Sequence, residues 1–198
     1  MPHMLREALT EFLTPKDLDS IFSAFDIIGD IAIIKIPKSF GANKKIIGDT
    51  ILRNLKAVKT VFAQTSSVSG NFRIRELEYL AGENKTETEY RENGCRFKVD
   101  VAKVYFSPRL STERLRVAMM VRDGEVITNM FAGVGTYSVL IAKKNKRCRV
   151  YSIDSNPVAI ELCRINAKAN KVEDNVVPLL GDAQEVIKKK FLANLIEC

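Results

Sequence analysis

The residues best placed to do chemistry lie in the second half of the chain. Met130-Phe131-Ala132-Gly133-Val134-Gly135 is a glycine turn between a β-rich run, Glu125 to Met130, and a helical pattern from about Tyr137 to Lys144. Glycine lets a backbone turn tightly and approach a ligand, because no Cβ intervenes. Asp154 closes the next β-rich run, Arg149 to Asp154, 21 residues beyond Gly133. That is the offset at which an acidic side chain reaches ribose hydroxyls. Asp182 follows a third such run, Val176 to Leu180, and precedes Ala183 at the start of a last helix. An aspartate there is equally an ordinary helix N-cap, and a lone G-x-G is often only a turn. Together, Phe131, Ala132, Gly133, Gly135, Asp154, Asp182 and Ala183 outline an adenosine-sized slot. No third glycine follows, since Thr136, Tyr137 and Ser138 come next. A dinucleotide is therefore disfavoured, and S-adenosyl-L-methionine, which has no pyrophosphate to cradle, fits better.

Other chemistries are excluded by what is missing. The single histidine is His3, and Cys95, Cys148, Cys163 and Cys198 are scattered without a C-x-x-C pair. A zinc site and a histidine-based triad are thereby disfavoured. No metal is expected, and the cysteine usage fits a reducing, cytoplasmic compartment. No apolar stretch long enough to span a membrane occurs, and no signal peptide is read at the start. Thirty-one Lys and Arg against 24 Asp and Glu give a formal charge of +7, which favours a polyanionic partner such as nucleic acid.

The elements that must position these residues change character near the middle of the chain. The first part reads as an α+β module. Thr14-Pro15 starts a helix, with Leu18, Ile21, Phe22 and Phe25 on one face. Asp30 to Pro37 is a strand-like run, Lys44 to Lys56 is helical, and Thr60 to Gln64 is a short strand. Phe72 to Leu80 alternates, which predicts Phe72, Ile74 and Leu77 inward and Arg73 and Arg75 outward. Glu92-Asn93-Gly94 between Thr86–Arg91 and Arg96–Val101 signals a hairpin. A helix from Ser111 to Val121 follows, then strand–helix alternation, which predicts an α/β fold with a parallel, doubly wound sheet. The boundary is expected at 94/95, giving an α+β domain over 1–94 and part of an α/β domain over 95–198. About three strand–helix units is short for such a sheet, so a C-terminal truncation in mid-domain is expected.

Three segments, VITNMFAGVGTYS, YSIDSNPVAIELCRINAKAN and LLGDAQEV, resemble the cofactor motifs of class I methyltransferases. DVAKVYFSPRLSTERLRV and GNFRIRELEYLAGENKTETEYRENG resemble, more specifically, the archaeal and eukaryotic tRNA guanine-N1-methyltransferases that modify position 37. The resemblance runs from about Asp26 to the end, and S-P-R-L-x-x-E-R is its most specific block. Wyosine-pathway aminocarboxypropyl transferases share the cofactor domain but typically lack the Arg109-Leu110 pair found here. Family members commonly carry Asp where this chain has Asn129, which implies lower cofactor affinity. The family's Asn-Pro-Pro-like segment has no counterpart within the 198 residues, and its small N-terminal domain is expected to be missing or reduced.

The resemblance implies an enzyme that methylates N1 of guanine 37, with tRNA, through its anticodon stem-loop, as partner and no protein partner evident. N1 carries a proton at neutral pH, so the reaction needs a base at N1 and a donor at O6. The resemblance puts Glu113 in the base role and Arg73 in the donor role, at a junction between the two domains. It also implies substrate contacts for Tyr105, Arg109 and Arg114, by stacking on the base or gripping phosphate. Glu113 would sit in a first helical turn, which lowers a carboxyl pKa, so burial by the bound guanine would have to raise it. Lys35, Lys38, Lys44 and Lys45 are candidate tRNA contacts. Lys143-Lys144, Lys146-Arg147 and Lys188-Lys189-Lys190 read as solvated helix ends. A wyosine-pathway transferase and a non-catalytic RNA-binding fragment are the alternatives.

Overall fold

The structure is a computed structural model, and it describes residues 3–23, 25–36, 44–66 and 70–189. The chain divides into two compact units: residues 1–89 with 100–102, and residues 90–99 with 103–198. The division passes through a hairpin, β5 (Glu87–Glu92) and β6 (Cys95–Asp100).

The first unit holds α1 (His3–Thr10), α2 (Pro15–Ser23), β1 (Asp26–Ile28), β2 (Ile31–Lys35), α3 (Lys44–Asn54), β3 (Thr60–Gln64) and β4 (Leu77–Gly82). Its sheet runs β1-β2-β3-β4, with β2 and β3 parallel and both outer pairs antiparallel. The parallel pair needs a crossover, and α3 supplies it. Pro15 opens α2 and Thr14 Oγ1 accepts from the Asp17 N–H at 3.3 Å, so the proline–hydroxyl start works as read. Ile47 and Ile51 lie on the face of α3 that packs toward β3 and β4. They join Leu9, Leu18, Ile34 and Val61 in one buried cluster. Each such side chain contributes about 1.5–3 kcal/mol by leaving water. Ile21, Phe22 and Lys38 fall outside the residues whose side chains are described.

The alternation predicted from Phe72 is corrected. Residues 70–73 form a turn closed by the Arg73 N–H on the Gly70 carbonyl at 3.1 Å, and the strand begins only at Leu77. Phe72 is 40% exposed. Arg75 is turned inward, where it pairs with Asp26 at 3.2 Å with both side chains nearly buried. The carboxylate of Asp26 outweighs the period-2 pattern, since an unpaired buried charge is costly.

The second unit holds α4 (Ser111–Met120), β7 (Val126–Asn129), α5 (Thr136–Lys144), β8 (Arg149–Asp154), α6 (Pro157–Ala169), β9 (Val176–Leu180) and α7 (Ala183–Ile187). A single 3-10 turn, Pro108–Leu110, precedes α4. The sheet is parallel in the order β7-β8-β9, as the strand–helix alternation predicted. Val139, Leu140, Ile141 and Ala142 of α5 and Ile160 and Cys163 of α6 are buried, so both helices are anchored by apolar faces. Asn93 and Gly94, both at positive φ, make the two-residue turn of the hairpin. The inward residues of β6 within this unit, Cys95, Phe97 and Val99, are buried. Its outward main chain is sealed by two asparagines, one in α6 and one at its C-cap: Asn170 accepts from the Arg96 N–H at 3.0 Å and donates to its carbonyl at 2.6 Å, and Asn166 treats Lys98 in the same way.

Candidate functional site

β7 and β8 run parallel, so the turn after β7 and the end of β8 lie at one carboxyl edge of the sheet. Three main-chain bonds shape the glycine turn. Ala132 N–H donates to the Ile153 carbonyl at 2.9 Å, Gly133 N–H donates to Asp154 Oδ2 at 2.7 Å, and Gly135 N–H donates to the Ala132 carbonyl at 2.9 Å. Asp154 Oδ1 accepts from the Asn156 N–H at 2.9 Å. Asp154 is thus a clamp between the turn and the start of α6. Each carboxylate oxygen accepts more than one hydrogen bond, so the clamp leaves capacity for a ligand hydroxyl.

The two glycines do different work. Gly133 has φ +54°, and a Cβ there would meet nothing closer than the Tyr105 carbonyl at 3.9 Å. The space in front of it is open to a ligand. Gly135 has φ +84°, and a Cβ there would sit 2.6 Å from Cys163 Sγ. Its task is to let the turn pack on α6. Asn129 holds the turn from behind: its Oδ1 accepts from Phe131 N–H at 3.4 Å and its Nδ2 donates to the buried Ser138 Oγ at 3.1 Å. Phe131 stands 82% exposed at the rim, and Ala132 is buried beneath.

Asp154 pairs in register with Leu180 of β9, and Gly181 N–H donates to the Asp154 carbonyl at 3.0 Å. Asp182 therefore follows at the same edge. Its Oδ1 caps α7, accepting from Gln184 N–H at 2.9 Å and Glu185 N–H at 3.2 Å. Ala183 opens that helix. Glycines and two carboxylates are thus gathered at one edge, with an open face at Gly133 and spare acceptors on Asp154. These residues fit an adenosine group.

The S-P-R-L block reaches the same edge. Asn156, itself 5% exposed, caps α6 through Oδ1 and donates from Nδ2 to the Lys103 carbonyl at 2.8 Å. That bond holds the segment leading to Tyr105, whose carbonyl faces Gly133 and whose ring is 41% exposed. Arg109 is exposed on the 3-10 turn. Arg114 is a correction. It is 2% exposed, with Nε and Nη2 bound to the two oxygens of Glu92 at 2.6 and 2.9 Å. Nη2 also donates to the Ser107 carbonyl at 2.9 Å, and the guanidinium lies 5.5 Å from the Phe106 ring centre. A guanidinium held this way fastens the block to the hairpin and does not grip phosphate.

Glu113 lies in the first turn of α4, as expected, and is half exposed. Both its oxygens accept from Arg116, Oε2 from Nε at 2.8 Å and Oε1 from Nη2 at 2.7 Å. This ion pair holds its carboxyl below the usual range. Arg73 belongs to the first unit, where it is exposed at the end of a turn with φ +51°. Lys44, a proposed RNA contact, is paired with Glu78 at 2.7 Å, whereas Lys35 and Lys45 are exposed. Lys143 is more than a solvated helix end, since its Nζ donates to the Asn170 carbonyl at 3.0 Å.

Sequence reading missed the asparagines. Asn166 is fully buried, and besides Lys98 it holds the Val134 carbonyl of the glycine turn at 2.9 Å. Asparagine is a poor helix former, so two of them four residues apart on an otherwise apolar face were the available signal. Among the described residues no cluster could hold a metal ion, and no helix is long and apolar enough to cross a membrane.

Comparison with known proteins agrees with this geometry. The model of the TRM5/TYW2 methyltransferase domain matches residues 88–196, and that of the TYW2 N-terminal domain matches residues 5–86. The tRNA (guanine(37)-N(1))-methyltransferase Trm5b of Pyrococcus abyssi is 50% identical over 197 residues, 98% of this chain and 58% of the relative. Its namesake in Methanocaldococcus jannaschii is 47% identical over 174 residues, 86% of this chain and 51% of the relative. A structure of aTrm5 with tRNALeu superposes with a TM-score of 0.84 at 39% identity, covering 98% of this chain and 61% of that one. The chain thus spans little more than half the length of these relatives. The α/β fold with a smaller N-terminal unit is the one seen in these methyltransferases. With a domain model covering more than half its residues, a glycine turn clamped by Asp154 and half-sequence identity along nearly its whole length, the chain belongs to the TRM5/TYW2 methyltransferase family.

Proposed function

We propose that this chain serves transfer of a methyl group from S-adenosyl-L-methionine to N1 of guanine 37 in tRNA. The observation that carries the reading is the 50% identity over 98% of the chain to a protein named for that reaction. S-adenosyl-L-methionine, when bound, supplies an electrophilic methyl group and leaves as the neutral thioether. Asp154 would accept from the ribose, Asp182 and Ala183 would lie beside the adenine, and Gly133 would let the backbone come close. Glu113 would take the N1 proton as the N1–methyl bond forms, and Arg73 would donate to O6, where negative charge develops. For Glu113 to act, the Arg116 fork must be displaced, because a base held in an ion pair is a weak one. Tyr105 and Arg109, both exposed, would contact the base and its phosphates. The setting implied is the cytoplasm, where tRNA is at hand.

The match of residues 5–86 to the TYW2 N-terminal domain favours a second reading, a wyosine-pathway transferase. Incubation with tRNA and labelled cofactor, followed by mass analysis of the nucleosides, separates the two. A gain of one methyl on guanosine 37 supports the first reading. An aminocarboxypropyl adduct, or a methyl only on the tricyclic base, overturns it.

A further inference from the structure

The rotation of α4 about its own axis is fixed by two buried residues four apart, Arg114 and Ala118. Arg114 is bound to Glu92 and to the Ser107 carbonyl. The Ala118 carbonyl accepts from Asn145 Nδ2 at 3.0 Å, just past the last turn of α5. Residues three apart share a helical face, so Glu113 and Arg116 stand together on a different face from that pair. Their side chains are 45% and 59% exposed. Glu113 and, more weakly, Tyr137 in the first turn of α5 hold the Arg116 guanidinium charged. Arg116 therefore lies near the start of the helix that follows the glycine turn.

A Glu and an Arg three residues apart are an ordinary helix-surface ion pair, but this one has three further properties. Its arginine uses Nε and Nη2 on the two oxygens of Glu113, at 2.8 and 2.7 Å, so the whole carboxylate is engaged. The remaining nitrogen, Nη1, donates to Met120 Sδ at 3.1 Å, a weak acceptor. The helix cannot turn to part the pair, because Arg114 and Ala118 pin it; only the Arg116 side chain can move. The same planar fork fits a phosphate with two parallel bonds. An exposed pair is screened by solvent and weakly held, so one anion can replace the other. The chain carries a formal charge of +7, and relatives matched along most of it are named for tRNA, whose backbone supplies phosphates.

We propose that Arg116 is a substrate-responsive latch: an RNA phosphate takes its guanidinium from Glu113, and the carboxylate is thereby released to act as a base only when RNA is bound. The inference rests on the base role proposed above for Glu113 and adds what frees that base. Arg116 is a positioning residue, since it acts on the reaction through Glu113. No bond to carbon forms or breaks in the exchange, and no proton moves: one anion replaces another on the same two N–H donors.

The test is RNA binding by the whole chain, without turnover. An anticodon stem-loop RNA with guanosine at position 37 is titrated at several salt concentrations in the absence of cofactor. Arg116→Gln, with Glu113 intact, should weaken binding and lower the salt slope by roughly 0.7–0.9, the share of one phosphate contact. Arg116→Lys should keep that slope, because an ammonium still pairs with phosphate. Glu113→Gln should tighten binding by at least about threefold where Arg116 is present, since no ion pair has to be broken, and much less beside Arg116→Gln. Equal tightening in both backgrounds would reflect only the lost negative charge and would overturn the proposal. So would an Arg116→Gln slope equal to that of wild type, or a wild-type chain that binds no RNA. Single-turnover methylation reports on the base role separately. If Glu113→Gln methylates normally while the binding cycle holds, the base role fails and the exchange of partners by Arg116 stands.

Discussion

The side-chain amide of Asn166 pairs with the main chain of Lys98 as a neighbouring strand would, accepting from its N–H at 2.6 Å and donating to its carbonyl at 3.1 Å. The same amide donates to the Val134 carbonyl at 2.9 Å. One fully buried residue thereby joins α6, the hairpin and the glycine turn. Asn166→Ala would leave three main-chain groups without this partner in a buried setting. The expected loss is about 2–4 kcal/mol, read from the urea midpoint of the second unit's unfolding. A loss under about 0.5 kcal/mol would show that water replaces the amide without penalty.

Gly135→Ala should destabilise by about 2–4 kcal/mol, because it combines overpacking against Cys163 Sγ at 2.6 Å with a left-handed φ of +84°. Cys163→Ala in the same chain should recover part of that loss, since it removes the clash and leaves the backbone strain. Gly133→Ala, with open space ahead of it, should cost only about 1 kcal/mol in stability, yet weaken S-adenosyl-L-methionine by calorimetry. Equal stability losses at the two glycines would contradict the division of labour between them.

Burial pushes the Cys163 thiol up to about 12. The folded-state value lies above the ordinary thiol range, so the group stays neutral, and poorly nucleophilic, throughout the range in which an exposed thiol ionises. Alkylation at mildly alkaline pH, mapped by mass spectrometry, should leave Cys163 unmodified in the native chain and modify it in denaturant. Native labelling at the rate of a free thiol would mean that α6 opens readily.

On the proposed reaction, Glu113→Gln should lower the single-turnover methylation rate by about 10²–10⁴ while leaving cofactor affinity intact. Arg116 holds the Glu113 carboxyl low in the free chain, so the acid limb of kcat/KM, which reports the free enzyme, should lie below the ordinary glutamate range. Arg116→Met removes the first cause of that shift and should move the limb to higher pH. A limb that does not move would remove Glu113 from the base role.

Arg73→Lys separates transition-state donation from simple charge. If Arg73 donates to O6, the methyl-transfer rate should fall far more than tRNA affinity, because ammonium lacks the planar fork. Inosine at position 37, which keeps O6 and loses the 2-amino group, should be slowed by a similar factor. A loss confined to guanosine would place Arg73 at the 2-amino edge.

Much of the second unit was legible in the residues. β8 and β9 begin and end where their β-rich runs do, because β-branched and aromatic residues bounded by turn residues favour a strand whatever it later packs against. The glycine turn and the 21-residue offset to Asp154 could be read as well: a chain that must turn at a strand end and return beside it has few ways to do so. The resemblance of the S-P-R-L block and the cofactor motifs carried the family. What no spacing revealed was where the polar side chains find their partners. Arg75 faced outward by period and turned inward to Asp26, 49 residues away. Arg114 was expected on phosphate and is bound to Glu92, 22 residues before it. Asn166 and Asn170 look like weak helix residues until β6 lies against them. Local pattern follows from backbone geometry and the exclusion of apolar surface from water, which neighbouring residues decide together. A buried charge or amide instead takes whichever partner the fold brings within about 3 Å, and that choice exists only once distant segments have met.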